Sequence, residues 1–187
     1  MNEKMSKYAL REIGGDEDLE LICRWRMDPK ITRYMNTDPK LTLEGQRKWA
    51  AKIASDPDVW YRMVLVDGAP AGVINLTHLT DPEGRIGWAY YIGEDRLRSM
   101  ELAISLEAGM YDHVFGTLGK KAVVSDVFSK NKGVITLHKL LGCKITAVVP
   151  DAVTKNGESF EVTYMEMTAE RWAEQRKSLK VQGIPFS

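Results

Sequence analysis

Three histidines, His78, His113 and His138, are the side chains of this sequence whose charge changes nearest neutral pH, and so the first candidates for moving a proton. His138 stands in the segment Asn131-Lys132-Gly133-Val134-Ile135-Thr136-Leu137-His138-Lys139-Leu140-Leu141-Gly142-Cys143, and His78 follows Thr77 on a strand-like run. A second feature is the loop Glu94-Asp95-Arg96-Leu97-Arg98, placed directly before a long helical stretch. The unpaired N–H groups and positive dipole end of a helix start can meet an anion there. Cys23 and Cys143 both sit in apolar neighbourhoods and read as reduced core thiols. No CxxC or Cys/His cluster is present, so no metal is expected.

Such residues need elements to hold them. The 187 residues carry 26 basic and 26 acidic side chains and are 44% hydrophobic, which suits one compact domain with a sizeable core. Zero formal charge and a pI near 6.8 argue against a protein whose main role is to neutralise nucleic-acid phosphates. No apolar run reaches the roughly 18 residues of a membrane span, and Met1 to Lys7 lacks the apolar core of a signal peptide. The expectation is a soluble, cytoplasmic protein with neither nucleic acid nor membrane as partner.

Lys7–Ile13 reads as a strand and Asp16–Met27 as a helix with an acidic first turn, stopped by Met27-Asp28-Pro29. A short helical piece, Ile31–Met35, and a helix from a Thr42 cap to Ser55 follow. Val59–Val66, Pro70–Leu79 and Arg85–Ile92 read as consecutive antiparallel strands, the first pair joined by Asp67-Gly68. Between Ser99 and Leu118, Leu102, Leu106, Met110 and Val114 recur four apart, which predicts one long packed helix closed by Gly119. Strands Lys121–Phe128, Cys143–Val149 and Glu158–Met167, with helices Lys132–Leu141 and Ala169–Lys180, complete the order. This is an α/β (α+β) domain on a mixed, mostly antiparallel sheet of about seven strands. Residues 7–170 form its core, and Lys177–Ser187 reads as a poorly ordered tail or an arm for a partner subunit, so a homodimer is among the expectations.

The stretch from Trp88 to Cys143 resembles the GNAT superfamily of acyl-CoA N-acyltransferases. Counted back from Phe115 and Leu118-Gly119 without gaps, Arg98-Ser99-Met100-Glu101-Leu102-Ala103 falls on that family's Arg/Gln-x-x-Gly-x-Gly/Ala loop. Asn131 to Cys143 falls on its Asn-x-x-Ala/Ser-x-x-Leu-Tyr/His-x-x-x-Gly-Phe segment. The resemblance implies a GNAT fold that uses acetyl-CoA without a metal. It implies that strands 85–92 and 121–127 splay apart, that Tyr91, Ile92 and Gly93 lie along the pantetheine arm, and that Arg98, Ser99, Met100, Glu101, Leu102 and Ala103 hold the diphosphate. Glu101 replaces a glycine of the family pattern: it is either a carboxylate facing the diphosphate or an acidic first-turn residue that favours the helix dipole. Asn131 contacts the pantetheine or steadies the loop by resemblance, or simply caps the next helix. His138 occupies the slot where many members carry the tyrosine that protonates the leaving thiolate; otherwise it is a helix-face histidine bonded to a carbonyl. Tyr90 and His78 complete the catalytic candidates, with Glu83 or a water chain as other bases.

The segment Arg24 to Met35, with Leu41-Thr42-Leu43-Glu44, Trp49 and the run Ser129 to Lys139, resembles a GNAT branch that acetylates the 4-amino group of a UDP-linked 4-amino-4,6-dideoxy sugar on the route to pseudaminic acid. GNATs that acetylate the N-termini of ribosomal proteins share the Trp-Arg-x-x-Pro entrance and the Leu-His segment. A nucleotide diphosphate sugar needs cations, and Arg26, Lys30 and Arg33 lie on this segment. Trp25, Tyr34 and Met35 are candidates for ring surfaces, Asn75, Thr77 and His78 for sugar hydroxyls, and Met27 is a further substrate-binding candidate. Trp25 and Met35 also read as core, and Lys30 as a solvated charge. The expected activity is N-acetylation of a nucleotide-linked amino sugar. Alternatives are N-terminal acetylation of proteins and, because of Glu101, a non-catalytic acyl-CoA-binding module.

Overall fold

A computed structural model describes residues 7–186. Met1 to Ser6, most of the stretch read as lacking a signal-peptide core, and Ser187 lie outside the described residues. The chain runs β1 (Tyr8–Arg11), α1 (Gly15–Arg26), α2 (Pro29–Thr32), α3 (Leu43–Ser55), β2 (Val59–Val66), β3 (Ala69–Thr77) and β4 (Arg85–Ile92). A short turn of helix at Asp95–Leu97 leads to α4 (Met100–Tyr111), followed by β5 (Ala122–Phe128), α5 (Lys132–Leu140), β6 (Lys144–Lys155), β7 (Glu158–Thr168) and α6 (Ala169–Arg176).

The strands form one seven-stranded sheet in the order β1-β2-β3-β4-β5-β7-β6. Every neighbouring pair is antiparallel except β4 and β5, which are parallel and joined through α4. Both hairpin turns place two residues at positive φ, Asp67 (49°) with Gly68 (80°) and Asn156 (52°) with Gly157 (81°). That matches the right-handed twist of the strands they join. Thr42, Ser99 and Thr168 each accept a backbone N–H from the first turn of the following helix.

The two faces of the sheet are packed differently. On one, Ile74, Leu76, Ile86 and Trp88 meet Leu102, Leu106, Met110 and Tyr111 of α4. On the other, Met63 and Val73 meet Leu19, Ile22 and Trp25 of α1, with Trp49 of α3 beside them. Both cysteines are buried and free.

Three expectations need correction. The helix expected over Ser99–Leu118 keeps α geometry only to Tyr111; Asp112–Thr117 widens into π-type turns. The change begins at Asp112, whose carboxylate is held by Trp172 Nε1 (3.0 Å) and Arg176 Nε (3.1 Å) of α6. β6 does not stop at Val149 but continues to Lys155, because its long partner β7 goes on pairing up to the turn. Pro150 and Asp151 fall in the irregular stretch of this edge strand, where a missing N–H is tolerated.

The third correction concerns the C-terminal segment. Ile184 is buried and donates its N–H to Ser105 O at 3.0 Å, and Phe186 stacks on Trp60 and His113. The segment lies on α4 because Gly109 leaves room for it: a Cβ there would fall 2.2 Å from Ile184 O.

Candidate active site

β4 and β5 pair only over Arg85–Gly87 and Ala122–Val124. Beyond that point the strands diverge, and a cleft of about 810 Å³ opens between them. This lies within the range of about 300–1,000 Å³ usual for ligand sites. Its walls come from the end of β4, the middle of β5, the start of α4, α5, and the loop after α2. Trp88, at the apex, donates its indole N–H to Ser125 Oγ (2.9 Å) and stacks on Tyr90. Tyr91 points to the opposite face, where it meets Trp25 edge-on. Burial pushes both the Tyr90 and the Tyr91 phenol up, so each keeps its proton through the neutral range.

The residues fit an extended acyl-thioester arm, since the free edge of β4 offers it a backbone ladder that β5 has left. Arg98, Ser99, Ala103, Tyr91, Ile92 and Asn131 all line the cleft. Arg98 also braces the backbone. Its Nε and Nη2 donate to Ile92 O at 3.0 and 2.7 Å, and Nη1 sits 3.1 Å from Asp95 Oδ1. It ties the helix start to the strand end, and Ile92 O, on the strand expected to lie along the arm, already accepts from it. Ser99 Oγ caps α4 through the Leu102 N–H.

Other residues of the expected loop lie elsewhere. Glu101 is 64% exposed at its side chain and points to Lys7 Nζ (2.8 Å); that hydrogen bond holds its carboxyl below the ordinary range. Met100 is exposed and Leu102 is core. Neither lines the cleft, nor does Gly93, where a Cβ would fall 2.2 Å from the Trp25 ring. Gly93 is therefore required for packing under that indole. Trp25 itself is buried and donates to Glu94 Oε1, a core residue rather than a contact.

On the acceptor side, Arg26, Lys30, Arg33, Tyr34, Met35 and Asn75 line the cleft. Arg26 Nη1 lies 2.8 Å from Met35 Sδ and Nη2 3.4 Å from Thr37 Oγ1, while the Arg33 guanidinium covers the Tyr34 ring at 4.8 Å. Met27 is outside the lining, its sulfur accepting the Leu41 N–H. Thr77, at the end of β3, packs against Gly87 and is also outside it. His78 leaves the strand at φ 59° and is 3.7 Å from Asp58 Oδ2 in a separate hollow that also contains Glu83. The chain turns there, so neither His78 nor Glu83 is placed to act in the cleft. His113 packs against Trp60 and Phe186, also away from it.

His138, by contrast, lines the cleft from α5 and is 3% exposed. Its Nδ1 is 2.9 Å from both carboxylate oxygens of Glu107, a fully buried residue of α4. The expected alternative, a bond to a backbone carbonyl, gives way to this side-chain pair. Tyr111 Oη also meets Glu107 Oε1, at 2.8 Å. Glu107 was not among the expected site residues. The available signal was its position one turn before Tyr111 and one after Ala103, a lone carboxylate in a packed helical face. Asn131 opens α5, and among the described residues its side chain caps no N–H of that helix.

Residues 8–144 match the Acetyltransferase (GNAT) domain family. The chain belongs to that family. This GNAT acetyltransferase is similar in fold to spermidine N-acetyltransferase from Vibrio cholerae, solved with CoA and spermine (TM-score 0.81, 16% identity, covering 89% of this chain and 98% of that one). It is similar also to a GCN5-related N-acetyltransferase from Brucella melitensis (TM-score 0.76, 13% identity, 93% and 81%) and to a protein described as a probable acetyltransferase (0.79, 13%, 89% and 96%). Comparison with curated protein sequences gives no match. Among the described residues of the acetyltransferase, no helix is long and apolar enough to cross a membrane.

Proposed function

We propose that this acetyl-CoA-dependent N-acetyltransferase acts on the 4-amino group of a nucleotide-linked amino-deoxy sugar. The supporting observation is the charge of the cleft: among the described residues, Arg26, Lys30, Arg33 and Arg98 line it against one carboxylate, Asp126. A diphosphate pairs with such guanidinium and ammonium groups, whereas a polyamine, the acceptor named for the Vibrio cholerae relative, would be repelled by them. Tyr34 and Met35 offer apolar surface for the rings, and Asn75 a hydrogen-bonding group for the sugar.

Acetyl-CoA, when bound, supplies an acyl carbon activated as a thioester. The free edge of β4 holds and orients the arm, and its N–H groups oppose the charge that develops on the acyl oxygen. Tyr90 stays protonated and serves as a donor. His138 gives a proton to the departing thiolate. Asn131 steadies the arm, and Arg98 and Ser99 set the α4 start against the diphosphate.

The test is thiol release from acetyl-CoA with a UDP-4-amino-4,6-dideoxy sugar, spermidine and a short peptide with a free N-terminus offered separately. Turnover confined to the amino sugar supports the proposal. Preference for spermidine or for the peptide overturns its acceptor half, and folded protein that binds acetyl-CoA without turnover on any amine leaves a binding module.

A further inference from the structure

The Glu107 cluster does more than place one histidine. We infer that Glu107 is a positioning residue that keeps Nε2 of His138 free to carry a proton both ways, from the attacking amine and on to the departing sulfur. The inference rests on the acyl-transfer reading above but not on the identity of the acceptor.

Donors and acceptors in the cluster fix the tautomer. A carboxylate only accepts, so the Tyr111 O–H (2.8 Å) and the His138 Nδ1–H (2.9 Å to both oxygens) must donate to it. The Tyr111 hydrogen is thereby committed, and Cys143 Sγ, 2.8 Å from the same phenol oxygen, can only be the donor in that contact. Burial pushes the Cys143 thiol up to about 12, so it has the hydrogen to give. The hydrogens therefore run one way: the Cys143 S–H points to Tyr111 Oη, and the Tyr111 O–H and His138 Nδ1–H point to the Glu107 carboxylate. The neutral imidazole is held with its hydrogen on Nδ1 and its lone pair on Nε2.

A buried pair of this kind contributes little stability relative to apolar residues of the same volume, so packing alone gives a weak reason for it. Its location gives a stronger one. Ala103, one turn before Glu107 on α4, lines the cleft, as does His138 itself. Glu107 is fully buried and lies outside that lining, so its carboxylate meets the His138 ring from the core side.

Atoms and charge balance across the step. The amine lone pair forms the N–C bond, and the N–H hydrogen of that nitrogen passes as a proton to His138 Nε2. The C–S bond breaks with its electron pair on sulfur, and the same proton moves from Nε2 to sulfur. His138 ends neutral, and the Glu107 carboxylate, 2.9 Å from its Nδ1, opposes the transient positive charge. Base and acid are then the same residue.

The experiment uses the three histidines as separate reporters in a long-range proton–nitrogen correlation spectrum of labelled full-length protein. Neutral His138 should show a bare Nε2 and a protonated Nδ1; a hydrogen on Nε2 overturns the inference, and this measurement needs neither substrate nor variant. In kinetics, Glu107→Gln should lower kcat for thiol release by about 100-fold and leave KM for acetyl-CoA within about twofold. It should have no further effect when added to His138→Gln. Glu107→Gln with wild-type kcat and a lowered melting temperature marks a structural role only and overturns the inference. The kinetics are repeated with water as the sole acceptor: coupling there, with no turnover of amino sugar, rejects the proposed acceptor while keeping the shuttle.

Discussion

The two walls of the cleft are built to different standards. On the β4–α4–α5 side, the polar groups are closed into one another: Glu107 with His138 and Tyr111 and Trp88 with Ser125 are buried pairs, and the more exposed Arg98 is tied to Ile92 O. On the acceptor side, Lys30 and Arg33 stand on a short helix and the loop after it, and Arg26, at the end of α1, meets a sulfur and a hydroxyl. That loop is held from behind, where buried Lys155 at the β6–β7 turn donates to Thr32 O (2.7 Å) and pairs with Asp38 (2.8 Å), joined by Asn156. The contrast separates two kinds of work. Groups that move a proton must be fixed in place, whereas groups that recognise an acceptor can sit on a loop whose sequence changes without disturbing the sheet.

The largest effect is expected from His138→Ala, which should lower kcat by about 100-fold to 10,000-fold with unchanged acetyl-CoA affinity by calorimetry. Unchanged turnover would remove the histidine from the mechanism and, with it, the distinction between the walls. Next, Arg26→Ala should raise KM for the acceptor about 10-fold to 100-fold, since a charge-assisted hydrogen bond lost costs about 1.5–3 kcal/mol. KM for acetyl-CoA should hold still in the same assay; a parallel rise in both would mean that the walls are not separable.

Lys155→Met tests the latch behind the loop: acceptor KM should rise about threefold to tenfold, because the side chain is placed behind the binding surface and not in it. An effect on donor KM instead would move the hairpin turn to the other wall. Asp18 anchors α1, the helix that leads into the acceptor loop. Burial alone would raise its carboxyl, but hydrogen bonds from Arg11 and the Gly14 N–H bring it below the ordinary aspartate value. Its contribution is therefore complete above about pH 4 and is lost as pH falls through the lowered folded value. Asp18→Asn should cost about 1–3 kcal/mol at neutral pH and flatten the acid limb of the melting curve. The smallest effect is expected from Glu101→Gly. Its carboxylate turns to Lys7 and away from the cleft, so acetyl-CoA affinity should change less than about threefold. A large gain would show that the carboxylate does oppose the diphosphate.

Much of the fold was legible in local pattern. Asp67-Gly68 and Asn156-Gly157 specify hairpins through positive φ, and Thr42 and Ser99 cap the helices they precede, whereas in β7 the alternation of Phe160, Val162 and Tyr164 breaks down, with Tyr164 exposed and Thr163, Met165 and Met167 buried. What misled was period where tertiary contacts override it: the π-type turns after Tyr111, the length of β6, and a C-terminal segment whose place on α4 depends on Gly109. Among the residues that line the cleft, motif spacing singles out Arg98, Ser99, Ala103, Asn131 and His138, and charge and ring chemistry single out Arg26, Tyr34 and Met35. Met27, Thr77 and His78 are adjacent to such residues in sequence but not in space, because each stands where the chain turns away from the cleft.

Short-range signals and motif spacing suffice for the order of elements, for the strand, long helix and strand that become β4, α4 and β5, and for the family to which the chain belongs. What faces the cleft depends instead on how the chain packs. Glu107 and His138 are 31 positions apart and meet because α4 and α5 bring them together, and Glu101 is harmless or harmful according to whether Lys7, 94 positions earlier, draws it aside. Contacts of that separation leave no periodic trace in a single chain; they exist only once the sheet has closed around them.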